Sequence, residues 1–371
     1  MNSRIALLLA ITSLILSTLA CGEQPDGTSE IDSDAGTFTD EPSETEQARV
    51  DRLLGIDVNE AESDDFESAF TRALDVGIDF VSLSIYWDDF ETSPGTYEPE
   101  INWLQIANSY YSAAGVDLSL VIAPIDTNVL HTPEDLRGVA FDDAEMIRRF
   151  EAFIDYTLGQ LDSVNLVSIS IGNEIDAYLG SDPALWSQYE AFYAASVEHL
   201  HRMDPEYIVG TKSMFDGLTQ TYTDELASMN VHSDVILVTY YPLESDFSVR
   251  APDTVFGDFE RVTALYDQNP IYFLELGYPS SEQLGSSEER QAAFIENVFE
   301  AWDHYSESIR VINIAWLHDI SQDEVDFFAE YYGLQNRKFL AFLGSLGLIH
   351  TDGTEKAAFV ELEEEASARG W

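Results

Sequence analysis

Two glutamates stand at the ends of two apolar stretches about a hundred residues apart. The first stretch runs Ser168-Ile169-Ser170-Ile171-Gly172-Asn173-Glu174, and the second runs Ile271-Tyr272-Phe273-Leu274-Glu275. Two carboxyl groups can share acid/base and nucleophilic work when one keeps a proton near neutral pH and the other is ionised. Held about 5–5.5 Å apart, such a pair can cleave a glycosidic bond with retention of configuration. In the first stretch Ser168, Ser170 and Gly172 alternate with Val167, Ile169 and Ile171, a period of two that predicts a strand. Glu174 shares the parity of the small residues. It is therefore expected to point over the mouth of a narrow barrel, with helices packed outside.

The rest of the chain supplies the elements such a barrel needs. Strands are predicted over 54–58, 80–86, 118–124, the stretch ending in Glu174, 208–214, 234–241, 271–277 and 311–316. Helical spacing is predicted over 64–76, 101–114, 143–161, 185–203, 223–229, 255–266, 288–305, 338–346 and 357–368. Strict alternation of strand and helix favours a parallel sheet, and eight units favour closure into a (β/α)8 barrel, an α/β fold with one catalytic domain. An open doubly wound sheet is the alternative, but no glycine-rich phosphate loop follows the first strand.

Charge narrows the partners. The 371 residues carry 69 Asp and Glu against 17 Lys and Arg, a formal charge of −52. Nucleic acid and anionic membrane surfaces are poor partners for that field. The acids are spread along the chain, which suits a solvated surface in high salt, where screening relieves self-repulsion. Only Lys212, Lys338 and Lys356 are lysines.

The N-terminus points to export. Residues 1–20 pair Arg4 with the apolar run 5–16 and then small residues, the pattern of a secretory signal. The lone cysteine, Cys21, follows Leu19-Ala20 and resembles the lipidated cysteine of a bacterial lipoprotein, with Thr18 where leucine is usual. One cysteine allows no intramolecular disulfide. Residues 21–50 are rich in Gly, Ser, Thr, Asp, Glu and Pro and are expected to be a disordered acidic tether. Residues 51–371 are expected to form the barrel domain. Membrane contact is then expected only through the lipid anchor at the cell envelope, with a monomeric, otherwise secreted domain.

Asn173-Glu174 ending strand four and Glu275 ending strand seven resemble the clan A glycoside hydrolases, which are retaining (β/α)8 enzymes. The resemblance covers roughly residues 53–350. It implies that Glu174 is the acid/base, Asn173 binds the sugar 2-hydroxyl and Glu275 is the nucleophile. It implies further that Tyr240 or Tyr241 bonds the nucleophile and that Trp316 forms a sugar platform. Tyr86-Trp87, with Pro94-Gly95 and Tyr97 beyond it, is similar to the strand-two loop of many members. Within the clan, Val238-Thr239-Tyr240-Tyr241-Pro242 and Leu274-Glu275-Leu276-Gly277-Tyr278-Pro279 are most similar to family 53 endo-β-1,4-galactanases. That family has Thr and Trp where this chain has Leu276 and Ser280. An arginine near the nucleophile, common in the clan, is not identifiable at the first or second strand end.

Asp57 and Asp126 are polar strand ends suited to sugar hydroxyls, and Tyr278 and His318 are further candidate contacts. Of Tyr240 and Tyr241, alternation turns one toward packing. No cofactor is needed for two-carboxylate chemistry. The acidic loops lack the EF-hand spacing for Ca²⁺, and His199 and His201 do not share a helix face. The substrate implied is a β-linked poly- or oligosaccharide. A carbohydrate-binding lipoprotein without activity and a transglycosylase using the same glutamates remain the alternatives.

Overall fold

Eight strands form the inner wall of the molecule, described here from a computed structural model that covers residues 49, 51–62 and 65–371. The expected leader, Cys21 and most of the acidic tether lie outside the described residues. The strands are β1 Leu53–Ile56, β2 Phe80–Tyr86, β3 Asp117–Asp126, β4 Leu166–Asn173, β6 Ile236–Tyr240, β7 Ile271–Leu276 and β8 Ile309–Ile314. Between β4 and β6, β5 comes in two pieces, Val209–Gly210 and Lys212–Met214. The first piece pairs with β4 and the second with β6, while β1 pairs with β8, so the parallel sheet closes on itself. This is the (β/α)8 barrel that the sequence predicts.

Eight helices pack outside: α1 Phe66–Val76, α2 Trp103–Ala114, α3 Ala144–Leu158, α4 Pro183–Met203, α5 Thr223–Asn230, α6 Thr254–Leu265, α7 Glu288–His304 and α8 Ala357–Ala368. The first shows why they form where they do. Asp65 caps its N-terminus by accepting from the Ser68 N–H, and Gly77 ends it in the left-handed region. Between those stops, Phe66, Ala69, Phe70, Ala73 and Val76 fall on one buried face.

The strands bury both faces. Leu118, Leu120, Ile122, Ile169, Ile171, Val238, Phe273 and Ile312 join the helices in the main core. The opposite parity fills the barrel with a second cluster that includes Phe80, Leu237, Tyr272, Leu274 and Val311. Small polar residues line the inside of β3 and β4, where the Ser119 and Ser168 hydroxyls lie 2.9 Å apart.

Two insertions interrupt the alternation of strand and helix, and of their elements only the helix predicted over 338–346 was expected from the sequence. After β2 the chain makes a short helix, Trp87–Phe90, and a small hairpin of Glu91–Ser93 with Thr96–Tyr97. Between β8 and α8 lie helices Gln322–Tyr331 and Arg337–Leu343. The first has a full capping box from Ser321 and Glu324. Val325 and Phe328 from that helix, with Phe339 and Phe342 from the next, make a third apolar cluster against which Tyr241 and Trp316 pack.

Candidate active site

Glu174 begins where β4 ends. Gly172 has φ 89°, and a side chain there would meet Ile175 and the Tyr189 hydroxyl at 2.5–2.6 Å. Only glycine fits that bend. Glu174 itself is left-handed, with φ 44° and ψ 45°, and opens the short helix Ile175–Leu179. A non-glycine residue held there is uncommon and clusters at functional sites. The turn carries the carboxyl over the barrel mouth, where the Thr127 hydroxyl donates to Oε2 at 2.7 Å. Burial pushes its pKa up to about 8, the Glu275 charge pushes it further the same way, and the Thr127 bond opposes both. Glu174 therefore keeps a proton at neutral pH.

Glu275 reaches the same mouth by a different device. Ile271 and Phe273 face the helices, so strict alternation would turn Glu275 outward as well. A bulge in β7 prevents this. Val238 pairs with Phe273 and Thr239 with Glu275, which leaves Leu274 as an extra residue. Both Glu275 oxygens then receive donors: Tyr241 Oη donates to Oε1 at 2.6 Å and Lys212 Nζ donates to Oε2 at 2.9 Å. Burial and the Glu275 charge hold the Tyr241 phenol far above its ordinary pKa, so it stays a donor. A donor on each oxygen fixes the orientation of the carboxyl.

Asp57, at the end of β1, is the third carboxyl of the mouth. Asn313 Nδ2 donates to it at 2.7 Å. Burial pushes its pKa up to about 7, the Asn313 bond opposes this, and the Glu275 charge adds to it. On the far side, Asn173 Nδ2 donates to Asp126 at 2.6 Å, and Asp126 also accepts from Tyr331 at 2.5 Å and Tyr86 at 3.3 Å. Asn173 Oδ1 is buried and makes no hydrogen bond within the protein. A buried acceptor without a partner is uncommon in a folded protein.

The structure therefore brings Glu174, Glu275, Asp57, Asn173, Tyr86, Asp126 and Tyr241 together. Trp316 is half-buried beside them, stacked on Phe328 with centroids 5.9 Å apart. Four candidates are placed elsewhere. Trp87 is fully buried, bonds Glu91 and packs on Phe150 and Phe153, so it is core and not a sugar platform. Tyr240 is the partner that faces packing: it is buried and donates to Asp258 on α6 at 2.7 Å. Tyr278 is buried, donates to the Arg250 carbonyl and stacks on Phe294. His318 is buried too, and its backbone and ring tie the β8 end to Asn59.

Sequence reasoning missed Lys212, Thr127 and the tyrosine pair Tyr331-Tyr332. A signal existed for Lys212, a lone lysine in the middle of an apolar strand. The pair follows Phe327-Phe328 at helical spacing, which marks a buried face. Burial holds the Tyr332 phenol far above its ordinary pKa, and the charges of Asp126, Glu174 and Glu275 add to the effect. Nothing in the sequence marks Thr127. Among the described residues no group of three or more His, Cys, Asp or Glu side chains is arranged to hold a metal ion.

No protein-family model and no curated protein matches the chain. Solved structures do. A GH5_18 protein from Streptomyces cattleya, in complex with GlcNAc, superposes with a TM-score of 0.67 at 16% identity, over 86% of this chain and 80% of its own. The exo-β-1,4-mannosidase Op5Man5 from Opitutaceae bacterium strain TAV5 gives 0.65 at 17% identity, over 86% of this chain. This chain spans 59% of that mannosidase. The xylanase XynB from Paenibacillus barcinonensis gives 0.59 at 13% identity, over 88% of this chain and 99% of its own. At such identities the likeness shows the shared barrel fold alone.

Proposed function

We propose that this protein is a retaining β-glycoside hydrolase. One observation carries the reading: the two glutamates of one mouth have opposite surroundings, one bonded to a cation and a phenol and the other buried with a single neutral donor. Glu275 accepts from Lys212 and Tyr241, whereas Glu174 is pushed up to about 8 by burial and the Glu275 charge. That is the asymmetry double displacement needs. Glu275 adds to the anomeric carbon as Glu174 protonates the departing oxygen. Water then releases the sugar, with Glu174 taking its proton. In this reading Asn173 and Asp57 meet sugar hydroxyls, and Trp316 supports a ring face.

The substrate we infer is a neutral β-linked oligo- or polysaccharide. Lys212 is already committed to Glu275, and Asp57 and Asp126 add acid around the mouth, so a uronate or sulfated glycan meets repulsion. The neighbours' names include a β-1,4-mannosidase and a xylanase, and the family 53 resemblance adds β-1,4-galactan. The N-terminal sequence supports an envelope enzyme tethered through a lipid on Cys21, and the acidic surface supports activity in high salt.

Aryl β-glycosides and these three glycans, assayed at low and high salt, test the reading. The expected result is hydrolysis of at least one, with the β-anomer as first product by NMR. An inverted product, or a wild type that retards a glycan in an affinity gel and cleaves none, would overturn it. Labelled palmitate incorporated into wild type and lost in Cys21→Ala tests the anchor.

A further inference from the structure

The two-glutamate reading uses a lysine inside the barrel only as a donor to Glu275 in the resting site. Lys212 is 4% exposed and rises from the second piece of β5. Its backbone N–H is fixed by the Ser170 hydroxyl of β4 at 2.9 Å, and the small inner face of β4 leaves it room. Its ammonium meets Glu275 Oε2 at 2.9 Å. Burial works against its charge, but Glu275, Asp57 and Glu174 together outweigh that penalty and lift its pKa. Lys212 thus lies within the field of all three carboxyls of the mouth.

We propose that Lys212 is the positioning residue that sets charge through both halves of the reaction: it holds Glu275 as an oriented carboxylate in the resting site, and once Glu275 is esterified it favours the carboxylate of Glu174. The inference rests on the function proposed above. In the first half, Glu275 Oε2 or Oε1 bonds to the anomeric carbon, the bond to the leaving oxygen breaks, and that oxygen takes the Glu174 proton. Glu275 is now a neutral ester, and Lys212 has lost its closest counter-charge. Its remaining partners are Asp57 and the newly formed Glu174 carboxylate. In the second half, Glu174 takes a proton from water, the water oxygen bonds to the anomeric carbon, and the electron pair of the ester bond returns to Glu275 beside Lys212. The groups that face Glu275 are Lys212 from β5, Tyr241 from the end of β6, Asp57 from β1, Glu174 from β4 and Tyr332 from the β8–α8 segment. Lys212 is the one cation among them.

The test compares wild type, Lys212→Met and Lys212→Arg, each checked for folding by circular dichroism. Removing the cation is expected to move the acid limb of kcat/KM to higher pH by about one to two units, the size of shift a close opposite charge produces. Lys212→Arg should return the limb toward wild type. With an activated aryl glycoside, Lys212→Met should accumulate the glycosyl-enzyme, seen as a burst. The carboxyl of Glu275, followed by ¹³C NMR and assigned with Glu275→Gln, should titrate at higher pH in Lys212→Met. If Lys212→Met does not fold, Lys212→Gln keeps a donor, drops the charge and carries the same test. An acid limb and a ¹³C midpoint both unmoved in a folded variant would overturn the proposal. A wild type that cleaves no glycoside, with the ¹³C midpoint still moved, would remove the reaction and leave the hold of Lys212 on Glu275 standing.

Discussion

The two glutamates end strands of the same barrel and meet opposite surroundings. Glu275 is set by polar side chains: an ammonium on one oxygen and a phenol on the other. Glu174 is set by backbone and burial. Its carboxyl sits on a left-handed residue and accepts from Thr127, with the Glu275 charge pressing on it. The lesson is that a protein can make one carboxyl an acid and another a nucleophile by choosing what is not placed beside the first. Among the described residues no cation bonds to Glu174, and the neutral Thr127 donor does not offset burial.

The comparison can be broken at either end. Glu275→Gln should have the largest effect, a loss of at least about 10³-fold in kcat on every substrate, since no covalent step remains. Glu174→Gln should be more selective. On a poor leaving group the loss should be about 10²–10⁴-fold, the range of general acid catalysis. A dinitrophenyl leaving group needs no proton, so its first step should be nearly spared, and added azide should restore turnover. Equal losses on both leaving groups would contradict the acid role. Tyr241→Phe removes a hydrogen bond to a charged group, worth about 1.5–3 kcal/mol. The expected loss in kcat/KM is therefore about 10- to 100-fold, with Glu174 still titrating.

Thr127→Val is the smallest and sharpens the comparison most. Its hydroxyl favours the carboxylate form of Glu174, so it lowers the pKa that burial raises. Without it, Glu174 holds its proton to higher pH. The basic limb of the kcat/KM profile should then move upward by less than about one unit, from a wild-type position near 8. A downward move would mean that Thr127 orients the acid instead of tuning it.

Much of this was legible in the sequence, and the rest fails for identifiable reasons. Strand-helix alternation named all eight units, whereas the placement of Glu174 comes from a left-handed turn beyond the strand, which parity does not describe. Parity, applied to Ile271 and Phe273, would have sent Glu275 outward. The bulge that corrects it is a property of register between strands and leaves no mark in one strand's own pattern. Trp87, Tyr278 and His318 have the right types for sugar contact but are used as packing and ties, and type alone does not separate those uses. The cation that meets Glu275 is not an arginine of the first two strand ends but Lys212 from the second piece of β5, two strands from β7 in the barrel order. Helix Gln322–Tyr331, which the sequence reading left unassigned, carries both a capping box and apolar spacing.

The most direct measurement is to trap the intermediate. A 2-deoxy-2-fluoro β-glycoside with a good leaving group slows the second half-reaction more than the first, so the sugar should stay on the enzyme. Peptide mapping by mass spectrometry should then find it on Glu275, in equal yield with Glu174→Gln. A label on Glu174, or none on an enzyme that still turns over the parent glycoside, would contradict the account.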